Sequence, residues 1–203
     1  MIEIKCIMPK DFASNMYILH SDGEYAVVDP SVSYENTVER YPDISGKIKY
    51  ILLTHAHFDH ILEIDSWVEN TQAKVLVGRN DMSALSDPHR NCYVAFCGEM
   101  RGYFGEAVSL SDGDEITLGK DSLRVLETPG HTQGSVVYLA DGFIISGDTV
   151  FAMGYGRYDL PGGDYRALFS SIRRILELDG KMAVYSGHGE SSTLEKIKRY
   201  LDI

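Results

Sequence analysis

Apolar positions fall along the chain in short runs, and the runs make two similar halves. In the first half they lie at 2–8, 16–20 and 25–29, broken by turn residues such as Ser21-Asp22-Gly23. Short apolar runs with polar breaks predict β-strands. Positions 33–41 predict a helix that Ser33 caps and Pro42 stops. A buried strand is expected at 49–54, leading directly into a histidine cluster. Apolar residues at 61, 62, 64, 67 and 68 have helical spacing and predict a helix over 61–69, followed by a strand at 74–78. The stretch 80–107 is the least regular. Its polar start gives way to Tyr93, Phe96, Tyr103 and Phe104, read as helical pieces and loop. Those aromatics form either core packing or a wall beside a site.

The second half repeats the rhythm. Strands are predicted at 114–118, 123–127, 135–139 and 143–146, a glycine-rich loop at 154–164, a helix at 165–178, a strand at 182–185 and a closing helix at 193–201. β-hairpins separated by helices, once in each half, predict an α+β fold of two mixed β-sheets packed together with helices on the outer faces. No low-complexity linker interrupts the chain, so one domain spanning 1–203 is expected.

Composition narrows the function classes. With 203 residues, 44% apolar and 24% charged, the chain has the make-up of a folded globular protein, which excludes general disorder. No apolar run approaches the ~18 residues of a membrane-spanning helix. Thirty acidic against nineteen basic side chains give a net charge of −11, which speaks against general nucleic-acid binding. Cys6, Cys92 and Cys97 are odd in number and form no CxxC motif, so they are expected as small buried apolar residues in a reduced, cytoplasmic protein. An early acid and the lack of a long apolar core in the first residues predict no secretory signal.

The chemistry concentrates in Thr54-His55-Ala56-His57-Phe58-Asp59-His60. Imidazole and carboxylate are donors that zinc and iron accept. His55 and His57, two apart after a strand, can face one point. Asp59 and His60, expected at the start of the following helix, can face a second. Three further donors stand just beyond other predicted strands: His131 in Thr128-Pro129-Gly130-His131-Thr132, Asp148 in Ser146-Gly147-Asp148-Thr149, and His188 in Ser186-Gly187-His188-Gly189. Loops at strand ends are where function tends to be mounted. His20 and His89 lie outside the pattern and are expected to be structural or solvent-facing. Two cations about 3.5–4 Å apart can share a hydroxide that serves as nucleophile at neutral pH, so no serine or cysteine nucleophile is needed.

These motifs resemble the metallo-β-lactamase superfamily over most of the chain: THxHxDH at 54–60, TPGHTxGS at 128–135, GDT at 147–149, the last histidine at 188, and the turn Leu110-Ser111-Asp112-Gly113-Asp114. The resemblance implies an αβ/βα sandwich with metals at one edge between the sheets. It implies a first metal held by His55, His57 and His131, a second by Asp59, His60 and His188, and Asp148 bridging them. Asp59 and Asp148 are thereby the candidate catalytic carboxylates. Two divalent ions per chain are implied, zinc foremost, with iron or manganese also able to serve. The segment 147–164 is similar to glyoxalase II and its short bacterial relatives, hydroxyacyl-thiol hydrolases, which implies a small acyl thioester as substrate. Lactamase activity fits that segment less well. Glyoxalase II carries a helical domain after its last core ligand that helps grip glutathione; here 15 residues follow His188. Arg157 falls where that family has a lysine contacting the thiol cofactor, so it is the candidate substrate-binding residue, unless it forms an ion pair with Asp159 or Asp164. The same ligand set also suits a mononuclear iron persulfide dioxygenase, which would use His55, His131 and Asp148, and a non-enzymatic metal-binding or redox module. The expected partner is a small molecule, with neither nucleic acid nor membrane.

Overall fold

A computed structural model describes residues 1–9 and 13–202. The first half builds one six-stranded sheet from β1 (Glu3–Ile7), β2 (Met16–Ser21), β3 (Glu24–Val28), β4 (Ile48–Leu52), β5 (Lys74–Gly78) and β6 (Val108–Leu110), in that spatial order. The hairpin strands β1 to β3 pair antiparallel, and β3 to β6 pair in parallel. The second half builds β7 (Glu115–Leu118), β8 (Asp121–Glu127), β9 (Val136–Ala140) and β10 (Phe143–Gly147). A two-stranded ribbon follows, β11 (Val150–Phe151) and β12 (Gly154–Tyr155), and then β13 (Ala183–Ser186) and β14 (Ser192–Thr193). Its sheet runs β14-β13-β10-β9-β8-β7, with β10 and β13 parallel.

The central strands are apolar on both faces, because both faces are covered. On β2 and β3, Tyr17, Leu19, Ala26 and Val28 point into the layer between the sheets, where they meet Leu123, Val125, Tyr138 and Ile145 of the second sheet. The alternate residues Ile18 and Val27 point the other way, against Ile64 and Trp67 of helix α2. Helices α1 (Tyr34–Arg40) and α2 (Ile64–Thr71) belong to this outer layer. The short α3 (Tyr93–Cys97) stacks its Phe96 ring on Phe58, within the 54–60 histidine cluster. Across the molecule, α4 (Tyr165–Leu176) and α5 (Leu194–Leu201) cover the second sheet. Leu168, Ile172 and Ile175, spaced four and three apart, form the buried stripe of α4 against Val137 and Ile144.

Local signals behave as their chemistry dictates. Ser33 caps α1 by accepting from the Asn36 N–H, Asp164 caps α4 through Ala167 and Thr193 caps α5 through Lys196. The two-sheet arrangement expected from the sequence is the one found. One expectation needs correction: Asp59 and His60 do not open a helix over 61–69. They lie on a 3-10 turn, Phe58–His60, and α2 starts only at Ile64. The Asp59 carbonyl, which a helix would give to the Glu63 N–H, instead accepts from Ser14 N–H at 3.2 Å. The Glu63 N–H goes to the Pro30 carbonyl at 2.9 Å. Two more corrections are small. The 154–164 loop begins with ribbon strand β12. Only Cys92 of the three cysteines is buried; Cys6 lies on edge strand β1 and Cys97 at the end of surface helix α3. The aromatic stretch divides, with Tyr93 and Tyr103 in the core and Phe96 and Phe104 exposed. No helix of the described residues is long and apolar enough to cross a membrane.

Candidate metal centre

Seven donors from five chain segments converge at one edge of the sandwich. His55 and His57 follow β4, and Asp59 and His60 lie on the 3-10 turn. His131 follows β8, Asp148 directly follows β10, and His188 follows β13. The sheets are laced together here: Val136 N–H donates to Thr54 O at 2.8 Å, and Tyr138 Oη to Leu53 O at 2.7 Å. All seven candidates from the sequence are brought together. The donor atoms of His55, His57 and His131 form one group, those of Asp59, His60 and His188 another, and Asp148 joins His55 and His60 in a third.

Distances test whether a cation fits. His131 Nε2 lies 3.1 Å from His55 Nε2 and 2.9 Å from His57 Nδ1. Asp148 Oδ1 is 3.4 Å from His60 Nε2, and its Oδ2 is 3.6 Å from both His131 Nε2 and His188 Nε2. His188 Nε2 is 3.0 Å from Asp59 Oδ2. Donors about 2.0–2.1 Å from a tetrahedral zinc stand roughly 3.3 Å apart, so these are the edges of coordination polyhedra. The hydrogen bonds behind the rings agree. The His131 Nδ1 donates to Arg157 O at 2.7 Å, so its Nε2 presents a lone pair. Thr54 Oγ1 donates to Asp29 and stands 3.1 Å from His55 Nδ1, placed to accept its proton. Two lone pairs thus face each other at 3.1 Å, which repels unless a cation lies between them. His60 Nε2 and Asp148 Oδ1 are buried without a hydrogen-bond partner, as is His57 Nε2, whose ring meets the cluster through Nδ1. Such orphaned donors facing one another fit a metal site.

Electrostatics divide the cluster. Burial, reinforced by neighbouring imidazoles, pushes His55 well below the usual histidine range and His57 down to about 3, so both rings are neutral donors at neutral pH. Burial also works against charge on His60, but the carboxylates of Asp29, Asp59 and Asp148 outweigh it and hold that imidazole well above its ordinary value. For Asp148 and Asp59, burial would raise the carboxyl pKa; the charge of His60 and contacts with neighbouring histidines reverse the sign, and both are lowered. His188 is raised, since its hydrogen bond to Asp59 and the Asp148 charge overcome its burial.

Three residues outside the ligand pattern shape the site. Asp29 directly follows β3 with φ of 52° and accepts from Thr54 N–H at 2.8 Å, Thr54 Oγ1 at 2.7 Å and His60 Nδ1 at 2.8 Å. Its sequence signal was present: an acid closing a buried strand, as Asp148 follows one in the second half. Asp81 is buried and accepts from Ala56 N–H, Thr132 Oγ1 and Gly134 N–H at 3.0, 2.8 and 2.8 Å, tying the His55–His57 loop to the His131 loop. Burial raises its pKa despite those bonds. It came from the irregular stretch and carried no pattern. Gly187 is required by closeness: a Cβ there would stand 2.1 Å from Asp148 Oδ1. Arg157 takes the ion-pair arrangement, holding Asp159 through two contacts of 2.8 Å, with its guanidinium 5.9 Å from the centre of the Phe96 ring. His20 stacks on Tyr25 away from the cluster.

The fold and this cluster define a class, and comparison with known proteins agrees. The chain belongs to the metallo-beta-lactamase superfamily, whose family model matches residues 9–188. It is 38% identical over 185 residues to the probable metallo-hydrolase YqgX of Bacillus subtilis, covering 87% of this chain and 85% of that one. It is 26% identical to the hydroxyacylglutathione hydrolase GloC of Haemophilus influenzae, covering 98% and 96%. Among solved structures it is similar to BLEG-1, a B3 metallo-beta-lactamase, with TM-score 0.90, 32% identity and 97% of each chain covered. It is also similar to TTHA1623 in a di-iron-bound form, with TM-score 0.85, 29% identity and 97% and 98% covered.

Proposed function

We propose that this protein is a two-ion metallo-hydrolase that adds water across the C–S bond of a small acyl thioester, giving a carboxylic acid and a thiol. The observation that carries the reading is the complete set of seven donors in two half-sites that share Asp148. Similarity to a protein crystallised with two irons supports the ion count, and similarity to GloC supports the thioester class. A pair of divalent ions, zinc foremost, supplies acidification of water and polarisation of the substrate carbonyl.

The chain's own residues do the rest. His55, His57 and His131 would hold the first ion as neutral donors, and Asp59, His60 and His188 would hold the second; Asp148, which lies against donors of both groups, would serve both. Asp29 and Arg157 O accept from Nδ1 of His60 and His131 and turn each Nε2 toward the centre, where an ion would take the place of the His60 Nε2 proton. Arg157 stands beside the His131 loop and, in this reading, takes an anionic group of the thiol in exchange for Asp159.

The test is a metal count on tag-free protein followed by a substrate panel: hydroxyacyl and acyl thioesters of glutathione and of smaller thiols, oxygen esters, and a β-lactam. About two ions per chain and turnover on thioesters is the expected result. Turnover on the β-lactam alone overturns the substrate class. One iron per chain with oxygen consumption on glutathione persulfide replaces hydrolysis by dioxygenation.

A further inference from the structure

The seven donors are not anchored alike. His55, His60 and His131 are each held through Nδ1, by Thr54, Asp29 and the Arg157 carbonyl. Among the described residues His188 has no such anchor; the polar groups its ring meets are the Asp59 and Asp148 carboxylates, and its faces lie near the His60 and Phe151 rings. Its side chain is 37% exposed, against 12% for Asp59 and 11% for Asp148.

What is anchored is the backbone on either side of it, and the anchor comes from the opposite sheet. Asn15, just before β2, is buried and sends Nδ2 to two carbonyls of the His188 loop, Ser186 O at 3.0 Å and Gly189 O at 2.8 Å. Its own N–H donates to Gly187 O at 2.7 Å. Tyr17, on β2, donates Oη to the same Ser186 carbonyl at 2.5 Å. Ser186 Oγ closes the turn on His188 O at 2.8 Å. One residue earlier, Ser14 N–H holds Asp59 O. The 14–17 segment therefore grips both chain segments that bring Asp59 and His188 together, and makes no bond to the loops carrying His55, His57 and His131 among the described residues.

We propose that Asn15 and Tyr17 are positioning residues that latch the Ser186–Gly189 loop and so set the affinity of the second half-site independently of the first. Donor–metal distances tolerate only about ±0.2 Å, so a loop held by a few hydrogen bonds controls whether the His188 nitrogen arrives. Removing Asn15 Nδ2 leaves two carbonyls of the loop without that donor and frees the turn to tilt. The inference rests on the two-ion reading above, and its failure is separable from the failure of that reading.

Metal-free wild-type protein, Asn15→Ala and Tyr17→Phe are titrated with cobalt(II), following the visible absorption of each filled site, with chelator competition for the affinities. Wild type is expected to fill in two steps. In Asn15→Ala the second step weakens about 10–100-fold while the first stays within about threefold, the range typical of losing a group that orients a ligand. Tyr17→Phe, which removes one oxygen and keeps the ring, shifts the second step in the same direction by less. Thermal unfolding of the metal-free forms shows whether each variant is folded; if Asn15→Ala is not, Tyr17→Phe decides on the same criterion. A second step within threefold of wild type in the folded variants, or both steps weakened equally, overturns the latch and leaves the two-ion reading standing. A wild type that binds a single ion overturns both.

Discussion

At the scale of single residues, the site depends on what is missing as much as on what is present. Gly187 lies between Asp148 and His60, and an added Cβ would meet Asp148 Oδ1 at 2.1 Å and His60 Cε1 at 2.7 Å. Neither neighbour can retreat, because His60 is fixed by Asp29 and Asp148 reaches both half-sites. On the proposed two-ion reading, Gly187→Ala should therefore drop the metal content toward one ion per chain and lower kcat by roughly 100-fold or more, as loss of catalytic positioning does. Metal analysis beside steady-state kinetics measures both; unchanged stoichiometry would show that the strand end simply shifts. The seven candidate donors were legible in the chain because histidine and aspartate in H-x-H-x-D-H, and again just beyond later strands, have few other reasons to recur so regularly. Asp81 and Asn15 were not, since a carboxylate that holds backbone N–H groups or an amide that holds carbonyls looks in sequence like any turn residue, and Asp29 was marked only by closing a buried strand.

At the scale of elements, periodicity gave good guidance wherever a face is buried. Strand β5 appears at its predicted bounds, and α1 starts behind the expected Ser33 cap. Strands β6, β11, β12 and β14 leave no mark in the sequence because two or three residues are too few to show alternation. Helix α2 begins late because tertiary partners take the backbone groups its first turn would need. Helix α4 is tied to the loop before the second sheet by Arg174, which meets Asp112 at 2.7 and 3.0 Å. Arg174, helped by the Glu127 N–H and opposed by slight burial, holds the Asp112 carboxyl below the usual range. A depressed carboxyl stabilises the fold above its unfolded pKa of about 4 and loses that contribution as pH falls through the folded value. Asp112→Asn should thus cost about 0.5 kcal/mol at pH 7, a small figure because the pair is exposed to solvent. The difference from wild type should shrink in denaturant unfolding repeated at about pH 3, below that unfolded value; a constant gap would assign the loss to something other than charge.

For the whole molecule, the facing lone pairs of His55 and His131, 3.1 Å apart, repel at one edge of the sandwich until a cation lies between them. Ions that bind the folded chain and not the unfolded one should raise stability by about 2.7 kcal/mol at a free concentration a hundredfold above Kd. Calorimetry of the protein with and without chelator checks this, and equal unfolding midpoints would contradict it. Sequence by itself determined the sandwich of two sheets and the identity of the donors, because both follow from local rules: alternation of buried faces, strand ends, and the chemistry of imidazole and carboxylate. Only the tertiary structure decided which nitrogen of each ring faces inward, which residues anchor the donors from behind, and that Arg157 is paired with Asp159. Those depend on distances between segments as far apart as Asn15 and Gly189, and such distances exist only after two sheets with different cores have packed against each other.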